Sequence, residues 1–532
     1  MSSRARGLVP LTLGALLSAS LAQAQDHRHP AGQETVGRIE FPVSCNPEAA
    51  KRFERATAML HSFWFEAAEA EYGHALQADS SCGMAHWGIA MTLLGNPYAR
   101  VSPSEERLRD ALAAAEKARA LTLYTTHREQ RYADAVLALY RDWPTQSHAA
   151  RMQRHEAAMK IVADSAPNDL EAAIFHARAI IANAAPSDLT FSRQLAAAAM
   201  LEPIFVAQPE HPGLAHYIIH AFDAPSLARQ GLAAARRYAD IAPAAPHALH
   251  MPSHIFTRLG LWRESITTNR RSANAEPDSN AAVHPMDYMV YAYLQLGKDD
   301  DAWRVVQRSV DQPNRFYQGT LGYNFAAMRA RYALERNDWA SAIQLPVPSP
   351  AAPHVIAIPR FARAIGAARS GKLDVARENV AALAALRDTL KQSGDQYWAT
   401  IVEAQRLTSA AWLAHAERND SAAVRLAREA ADLEETVEKH PVTPGPLLPA
   451  RELEADLLLE LERYGGALWS YAKTLEREPR RARALFGAAR SAERDGDLAQ
   501  ARRYYAQVAD LLKEADVTRK ELQLAKAFLS RR

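Results

Sequence analysis

Residues 462–479 read ERYGGALWSYAKTLEREP, and residues 495–512 read DGDLAQARRYYAQVADLL. Three positions of the first stretch return in the second at an offset of 34 residues: Tyr464/Leu498, Ala467/Ala501 and Tyr471/Tyr505. The same offset of 34 relates a second set of positions: Trp339/Leu373 and Ala342/Ala376. A fixed period of this length, with small residues where helices cross and aromatic residues filling the gaps, predicts stacked helical hairpins.

The rest of the chain follows the same plan. It is rich in Ala, Leu, Arg and Glu, strand-like alternation is scarce, and helix-length amphipathic segments are separated by short breaks at Gly or Asn-Asp. A period of 34 is typical of the tetratricopeptide repeat, so we expect an all-α, TPR-type superhelix of helical hairpins, an α-solenoid. The proline-dense stretches at 345–359 and 440–449 predict loops between repeats, because proline does not continue a helix.

The amino terminus predicts export. Arg4 and Arg6 precede an apolar run from Leu8 to Leu21, and Ala22-Gln23-Ala24 is a cleavage signal, as in a secretory signal peptide. We therefore expect a periplasmic or secreted protein without stable membrane insertion. The predicted organisation is a signal peptide at 1–24, a flexible segment at 25–44, an N-terminal TPR-like region at 45–345 and C-terminal TPR repeats at 346–532.

Charge and cysteine content restrict the partners and the chemistry. Residues 1–24 contain two arginines and no acidic residue, so the remaining chain has 61 basic and 61 acidic residues. A neutral balance argues against nucleic acid as the main partner. The two cysteines, Cys45 and Cys82, are expected to pair in an oxidising compartment, and two buried free thiols are the alternative.

Histidines are concentrated in one window of the chain. Of 19 histidines in 532 residues, six lie between positions 211 and 254, where HPGLAHYIIHAFD spans 211–223 and PHALHMPSHIF spans 246–256. Two pairs are spaced by four residues and so project from one helix face: His216/His220 and His250/His254. Imidazole is the commonest metal ligand, so the window predicts a built site.

The segment PHALHMPSHIFTRLGLWRES, downstream of HPGLAHYIIHAFD, resembles a family of bacterial exported or cytosolic tetratricopeptide-repeat proteins that carry an HxxHMPSHI motif. CGMAHWGIAM at 82–91 is similar to the opening repeat of that family, and the resemblance covers about residues 40–345. It implies the repeat fold and the location of a site, and it does not imply an activity. On this resemblance, five histidines are assigned to one site: His216, His220, His247, His250 and His254.

The leading hypothesis is a binding or scaffold protein whose histidines hold a divalent transition metal, Zn, Cu, Ni or Fe, since ligand type alone does not choose among them. Three further residues are candidate ligands or supporting groups: His211, Asp223 and Asp287. No HExxH motif and no glycine-rich phosphate loop occurs in the sequence, so a zincin mechanism and a bound nucleotide are not expected.

Two alternatives use the same region. Three histidines with an open coordination position would suit a metal-dependent enzyme, a hydrolase or an oxidoreductase. A metal-free adaptor would instead bind a protein or peptide in the concave groove, and four residues fit such a lining: Arg258, Tyr288, Tyr323 and Asn324. A purely structural role for the histidines, hydrogen-bonded in polar networks, is also open.

Overall fold

The computed structural model describes residues 35–276, 282–310, 321–516 and 519–531. Within these ranges the chain is helical and has no β-strand. The residues from Thr35 onward form one compact body. The predicted signal peptide and residues 25–34 lie outside the described residues.

The first twelve helices share one apolar core. They are α1 (Pro47–His61), α2 (Phe65–Ala78), α3 (Gly83–Leu93), α4 (Glu105–Leu121), α5 (His127–Tyr140), α6 (His148–Ser165), α7 (Leu170–Ala182), α8 (Ser192–Ala207), α9 (Pro212–Ala221), α10 (Leu232–Ile241), α11 (Pro246–His250) and α12 (Pro252–Arg258). Short 3₁₀ helices lie at Pro97–Ala99 and Thr122–Tyr124.

Fourteen further helices complete the described fold. They are α13 (Trp262–Ala275), α14 (Val283–Gln295), α15 (Asp299–Val310), α16 (Leu321–Glu335), α17 (Trp339–Ile343), α18 (Pro353–Arg369), α19 (Leu373–Gln392), α20 (Gln396–Ala416), α21 (Asp420–Glu434), α22 (Ala450–Glu460), α23 (Tyr464–Arg477), α24 (Ala482–Asp495), α25 (Leu498–Leu511) and α26 (Lys520–Leu529). Successive helices pack as neighbouring pairs along the chain, as in an α-solenoid.

The positions that define the 34-residue period lie in the helix contacts. Ala342, Ala376, Ala467 and Ala501 are fully buried, so they permit the close approach of crossing helices. Tight turns occur at glycines, as the breaks in the sequence predicted: Gly260, Gly297 and Gly371 have φ values of 65°, 68° and 71°. The all-α, TPR-type solenoid predicted from the sequence is therefore confirmed. No helix among the described residues has the length and apolar character needed to cross a membrane.

The N-terminal segment differs from the prediction where it is described. Phe41 is fully buried, with its ring 5.7 Å from that of Trp87 and 5.1 Å from that of Tyr132. Arg38 N donates to Glu210 O at 3.0 Å. Apolar side chains and backbone hydrogen bonds thus anchor residues 35–44 to the first helices. The structure also joins Cys45 to Cys82 in a disulfide, which ties this segment to the start of α3.

The proline-dense stretch at 345–359 is a loop only in its first part. Helix α18 begins at Pro353 and continues through Pro359, so the prediction of a loop over the whole stretch was wrong in its second half. Proline at the first helical position costs no hydrogen bond, which explains the start. One apolar core spans both sides of residue 345, from Tyr323 to Leu457, so no core boundary coincides with the predicted regions.

The C-terminal repeats pack against helices from the middle of the chain. Trp262 Nε1 donates to Arg480 O at 3.1 Å, and Asp516 accepts from the backbone N–H of Asp299 at 3.0 Å. Residues of α13 to α16 share an apolar core with residues of α24 to α26. The superhelix therefore curls round so that helices distant in sequence flank its centre.

Candidate metal centre

Three helical segments meet at the centre and supply the histidines. Helix α9 is buried along its whole length and begins at Pro212. Helices α11 and α12 form a nearly continuous run, because Met251 between them keeps helical angles of φ −53° and ψ −35°. Helix α14 lies beside them. The run through Pro252 brings its histidines to one side, facing α9 and α14.

The first triad joins α9 to α11. His216 Nε2 lies 3.1 Å from His220 Nε2 and 3.1 Å from His247 Nε2. His216 is fully buried, whereas His220 keeps 9% of its surface exposed. Three ring nitrogens thus converge from two helices that are about one repeat apart in sequence.

The second triad joins the α11–α12 run to α14. His250 Nε2 lies 3.0 Å from His254 Nε2. The ring of His284 lies 4.4 Å from that of His250 and 6.0 Å from that of His254, measured between centroids. The Nδ1 atom of His284 is buried and has no hydrogen-bond partner within the described residues. It is an unpartnered ring nitrogen beside His250.

The outer nitrogens of three rings have hydrogen-bond acceptors. His216 Nδ1 donates to the backbone carbonyl of His61 at 2.6 Å. His250 Nδ1 donates to Asn269 Oδ1 at 2.6 Å, and His254 Nδ1 donates to an Asp223 carboxylate oxygen at 2.8 Å. In a neutral imidazole a proton on Nδ1 leaves a lone pair on Nε2. The three Nε2 atoms therefore point lone pairs into the site, as ligating histidines do.

The orientation of Asn269 confirms the tautomer of His250. The side-chain nitrogen of Asn269 donates to Ser265 O at 2.7 Å, which turns its oxygen toward His250. His250 and His254 then place two lone pairs 3.0 Å apart, an arrangement that is repulsive without a shared cation. Two nitrogens bound to one ion at about 2.0–2.1 Å lie about 2.9–3.4 Å apart at bond angles of roughly 90–109°. The donor spacing fits a transition metal.

Burial keeps these imidazoles neutral. It lowers the pKa of His216, His220, His250 and His284 well below the ordinary value, and the charges that neighbouring histidines would carry lower it further. For His254, burial also lowers the pKa, although Asp223 opposes the shift. Neutral imidazole is the form that binds metal, so the apolar surroundings preserve the ligands over a wide pH range.

Asp223 is a supporting group rather than a ligand in this arrangement. One carboxylate oxygen accepts from His254 and from Lys439 Nζ at 3.1 Å, and the other accepts from Arg258 Nε at 2.9 Å. Burial raises the pKa of this carboxyl, but Lys439, Arg258 and His254 outweigh it and hold the pKa well below its usual range. Asp223 is therefore ionised and fixes the ring of His254.

The structure does not bring His211 into either triad. His211 Nε2 bonds Glu171 at 2.9 Å, and the same carboxylate contacts His61 Nε2 at 2.9 Å. Burial raises the pKa of Glu171, yet the two histidines lower it to about 2. The His61–Glu171–His211 group is buried and hydrogen-bonded, and its donor atoms lie close enough together to hold an ion themselves. It adjoins the first triad, because the carbonyl of His61 accepts from His216 Nδ1.

Asp287, which the sequence offered as a candidate ligand, also bonds other residues instead. Its carboxylate accepts from Arg331 Nε at 3.0 Å and from Asn324 Nδ2 at 3.2 Å, and neither Asp287 nor Arg331 is exposed. The expectation of a carboxylate ligand at this position is not supported, because both oxygens of Asp287 are bonded to the buried Arg331 and Asn324.

The four residues expected to line a peptide groove contact the chain's own 435–449 segment, which links α21 to α22. Asn324 Nδ2 donates to Val442 O at 2.6 Å, and Tyr288 donates to Thr443 O at 3.2 Å. Arg258 pairs with Glu438. Tyr323 lines one pocket together with Thr443 of the same segment. This proline-dense stretch, expected to be an inter-repeat loop, fills the centre.

The sequence did not indicate one residue of the second triad, His284. His284 lies outside the histidine window, and the sequence HPMDYM at 284–289 drew attention only to Asp287 and Tyr288. A signal was present, since His284-Pro285 lies in the first turn of α14, as His211-Pro212 lies at the start of α9. Contact with His250 depends on the packing of α14, which local spacing does not reveal.

The described chain is thus a TPR-type solenoid with a buried polyhistidine centre. No family model matches it, and no curated protein matches its sequence. Among solved structures it is similar to yeast Tom70 (12% identity, 90% of this chain and 95% of that chain, TM-score 0.32). It is also similar to the APC/C hetero-tetramer Cut9–Hcn1 (12%, 93% and 77%, TM-score 0.35) and to the human IFIT1 dimer with PPP-AAAA (12%, 86% and 89%, TM-score 0.36).

Proposed function

We propose that this protein is an exported transition-metal-binding protein whose solenoid holds the ion on central histidines. The observation that carries the proposal is the inward lone pair of three imidazoles, each fixed by an outer acceptor: His61 O, Asn269 and Asp223. Here the 3.0 Å contact between His250 and His254 joins two acceptors.

The occupied groove favours metal binding over peptide binding. Glu438 N donates to Pro186 O at 2.9 Å, and His440 N donates to Tyr397 Oη at 2.7 Å. The 435–449 segment is therefore bonded to both sides of the centre. A peptide ligand at the predicted groove residues would have to displace these backbone bonds.

A metal-dependent enzyme is the second candidate, and one observation favours it. A pocket lined by Tyr98, His220, Asp223, Lys439 and Pro441 reaches the first triad from outside. A small molecule in this pocket would contact an ion held by His220. Metal-dependent hydrolysis or oxidation of small substrates by the loaded protein, lost on chelation, would support the enzyme over the binding protein.

Export is part of the proposal. It rests on the signal-peptide pattern at 1–24 and on the Cys45–Cys82 disulfide, which is a bond typical of oxidising compartments. Expression of the full chain in a bacterial host, followed by mass measurement of the periplasmic fraction, is expected to give a protein that begins at Gln25. An unprocessed chain confined to the cytoplasm would contradict this part.

Elemental analysis tests metal binding directly. The protein, purified without a His tag after supplementation with Zn, Cu, Ni and Fe in turn, is expected to retain at least one ion per chain. The variant His250→Ala/His254→Ala is expected to lose metal, and the exposed pair His74→Ala/His127→Ala is the matched control that retains it. Substoichiometric metal in the wild type, or unchanged metal in the first variant, would overturn the proposal.

A further inference from the structure

The central histidines divide into two sets rather than one. Every contact within hydrogen-bond distance between two ring nitrogens of the cluster lies inside a triad, at 3.0–3.1 Å. Between the triads the nearest rings are His220 and His254, with centroids 5.9 Å apart, and His247 and His250, at 6.0 Å. The two triads are therefore neighbours at two places: His220 lies beside His254, and His247 lies beside His250.

Each triad also has its own support. The first depends on the carbonyl of His61, and the second on Asn269 and Asp223. His284, whose Nδ1 is unpartnered, completes the second triad, because donor atoms of His250, His254 and His284 all lie within 4.8 Å of one another. A single ion held by one triad would leave the other, separately oriented set unused.

The charge of the buried site indicates which metal ions it would hold. An imidazole binds a metal in its neutral form, and the negative charge of Asp223 is already balanced by Lys439 and Arg258. Two dications would bring four positive charges into a buried site without a carboxylate ligand. Monovalent copper halves that charge, and imidazole is a good ligand for copper.

Resting on the function proposed above, we infer that the centre is dinuclear: one Cu(I) ion on His216, His220 and His247, and a second on His250, His254 and His284. The pocket at His220 reaches the first triad through that residue.

The test is an anaerobic titration of the metal-free, full-length protein with Cu(I) against a chromogenic chelator. We expect two ions per chain in the wild type. The variants His216→Gln/His247→Gln and His250→Gln/His284→Gln are each expected to bind one, and the control His74→Gln/His127→Gln two. Circular dichroism and thermal unfolding of the metal-free forms establish that each variant is folded.

The outcomes separate this inference from the proposed function. One ion in the wild type would overturn the dinuclear inference and leave metal binding intact, and this result needs no variant. No copper, but two zinc ions lost triad by triad, would overturn the choice of copper. No metal of any kind would overturn both proposals.

Discussion

Asp223 shows how much a single carboxylate organises at the edge of the metal centre. Its two oxygens bond His254, Arg258 and Lys439, so one buried anion fixes a candidate ligand and neutralises two buried cations. Arg258 and Lys439 belong to different parts of the chain, and each is almost fully buried. Buried charges of this kind are stable only while their partners are present.

Replacing Asp223 with Asn is expected to weaken both stability and metal binding. The free energy of unfolding should fall by about 3 kcal/mol, because Lys439 and Arg258 would lose a buried counter-charge. Metal affinity should fall about 10-fold to 100-fold, because His254 would lose the acceptor that orients it. Denaturant unfolding of the metal-free form and a competition titration measure the two effects separately.

The control for this change is Asp240→Asn. Asp240 is 81% exposed and lies 3.9 Å from Arg271 in a loose surface pair. We expect its stability to change by no more than about 0.5 kcal/mol, with metal affinity unaltered. Equal behaviour of the two variants would show that Asp223 does not support the site.

At the scale of the helical hairpin, an aromatic residue and a glycine mark the close contact between neighbouring helices. A Cβ atom at Gly88 would lie 2.2 Å from the ring of Tyr72, and one at Gly487 would lie 2.1 Å from the ring of Tyr471. Both pairs are 16 residues apart, at opposite ends of the chain. The same contact therefore recurs because the repeat unit recurs.

Substitutions of two glycines by alanine are expected to have opposite effects. Gly88→Ala should lower the free energy of unfolding by about 1–3 kcal/mol, because Tyr72 is buried and its hydroxyl is bonded to Thr57. Gly73→Ala should raise it by about 0.5–1 kcal/mol, because a Cβ there meets no atom within 4 Å and alanine favours the helix. Denaturant unfolding of the wild type and the two variants measures both changes in the free energy of unfolding. Destabilisation of similar size in both variants would contradict the close-contact interpretation.

On the scale of the whole molecule, long-range contacts close the solenoid around its centre. The 435–449 segment crosses that centre, and Arg331 holds it by donating to Gly445 O and Pro446 O at 2.6 Å each. The carbonyls of a segment in this position would otherwise be buried without donors. The arrangement shields the histidine triads and leaves the pocket at His220 as an approach from outside.

Acid is expected to destabilise the metal-free protein, in part through His155, which lies far from the triads in sequence. Burial lowers the pKa of His155 to about 4 in the folded state. The unfolded chain, with a pKa near 6.5, takes up the proton first, so stability present above pH 6.5 is lost as the pH falls toward 4. At pH 5 the loss from His155 alone is about 2 kcal/mol.

The measurement is the free energy of unfolding at pH 7.5 and pH 5, with chelator present, for the wild type and His155→Gln. The decrease between the two pH values should be smaller in the variant by about 2 kcal/mol. The exposed His127→Gln is the control and should follow the wild type. A variant with the full wild-type decrease would show that His155 titrates normally.

The sequence by itself determined the repeat. The 34-residue offsets, the buried alanines and the glycine turns are local patterns, and local periodicity specifies which face of each helix is apolar. The spacing of four residues also grouped His216 with His220 and His250 with His254, because such residues share a face of one helix. His247 was added to the predicted site by the family resemblance. Only the tertiary structure decided the rest. His284 belongs to the second triad, His211 bonds Glu171 instead of joining a triad, and the 435–449 segment occupies the predicted groove. Each of these depends on contacts between residues far apart in sequence, which are set by how the superhelix curls and not by the spacing of residues within any one repeat.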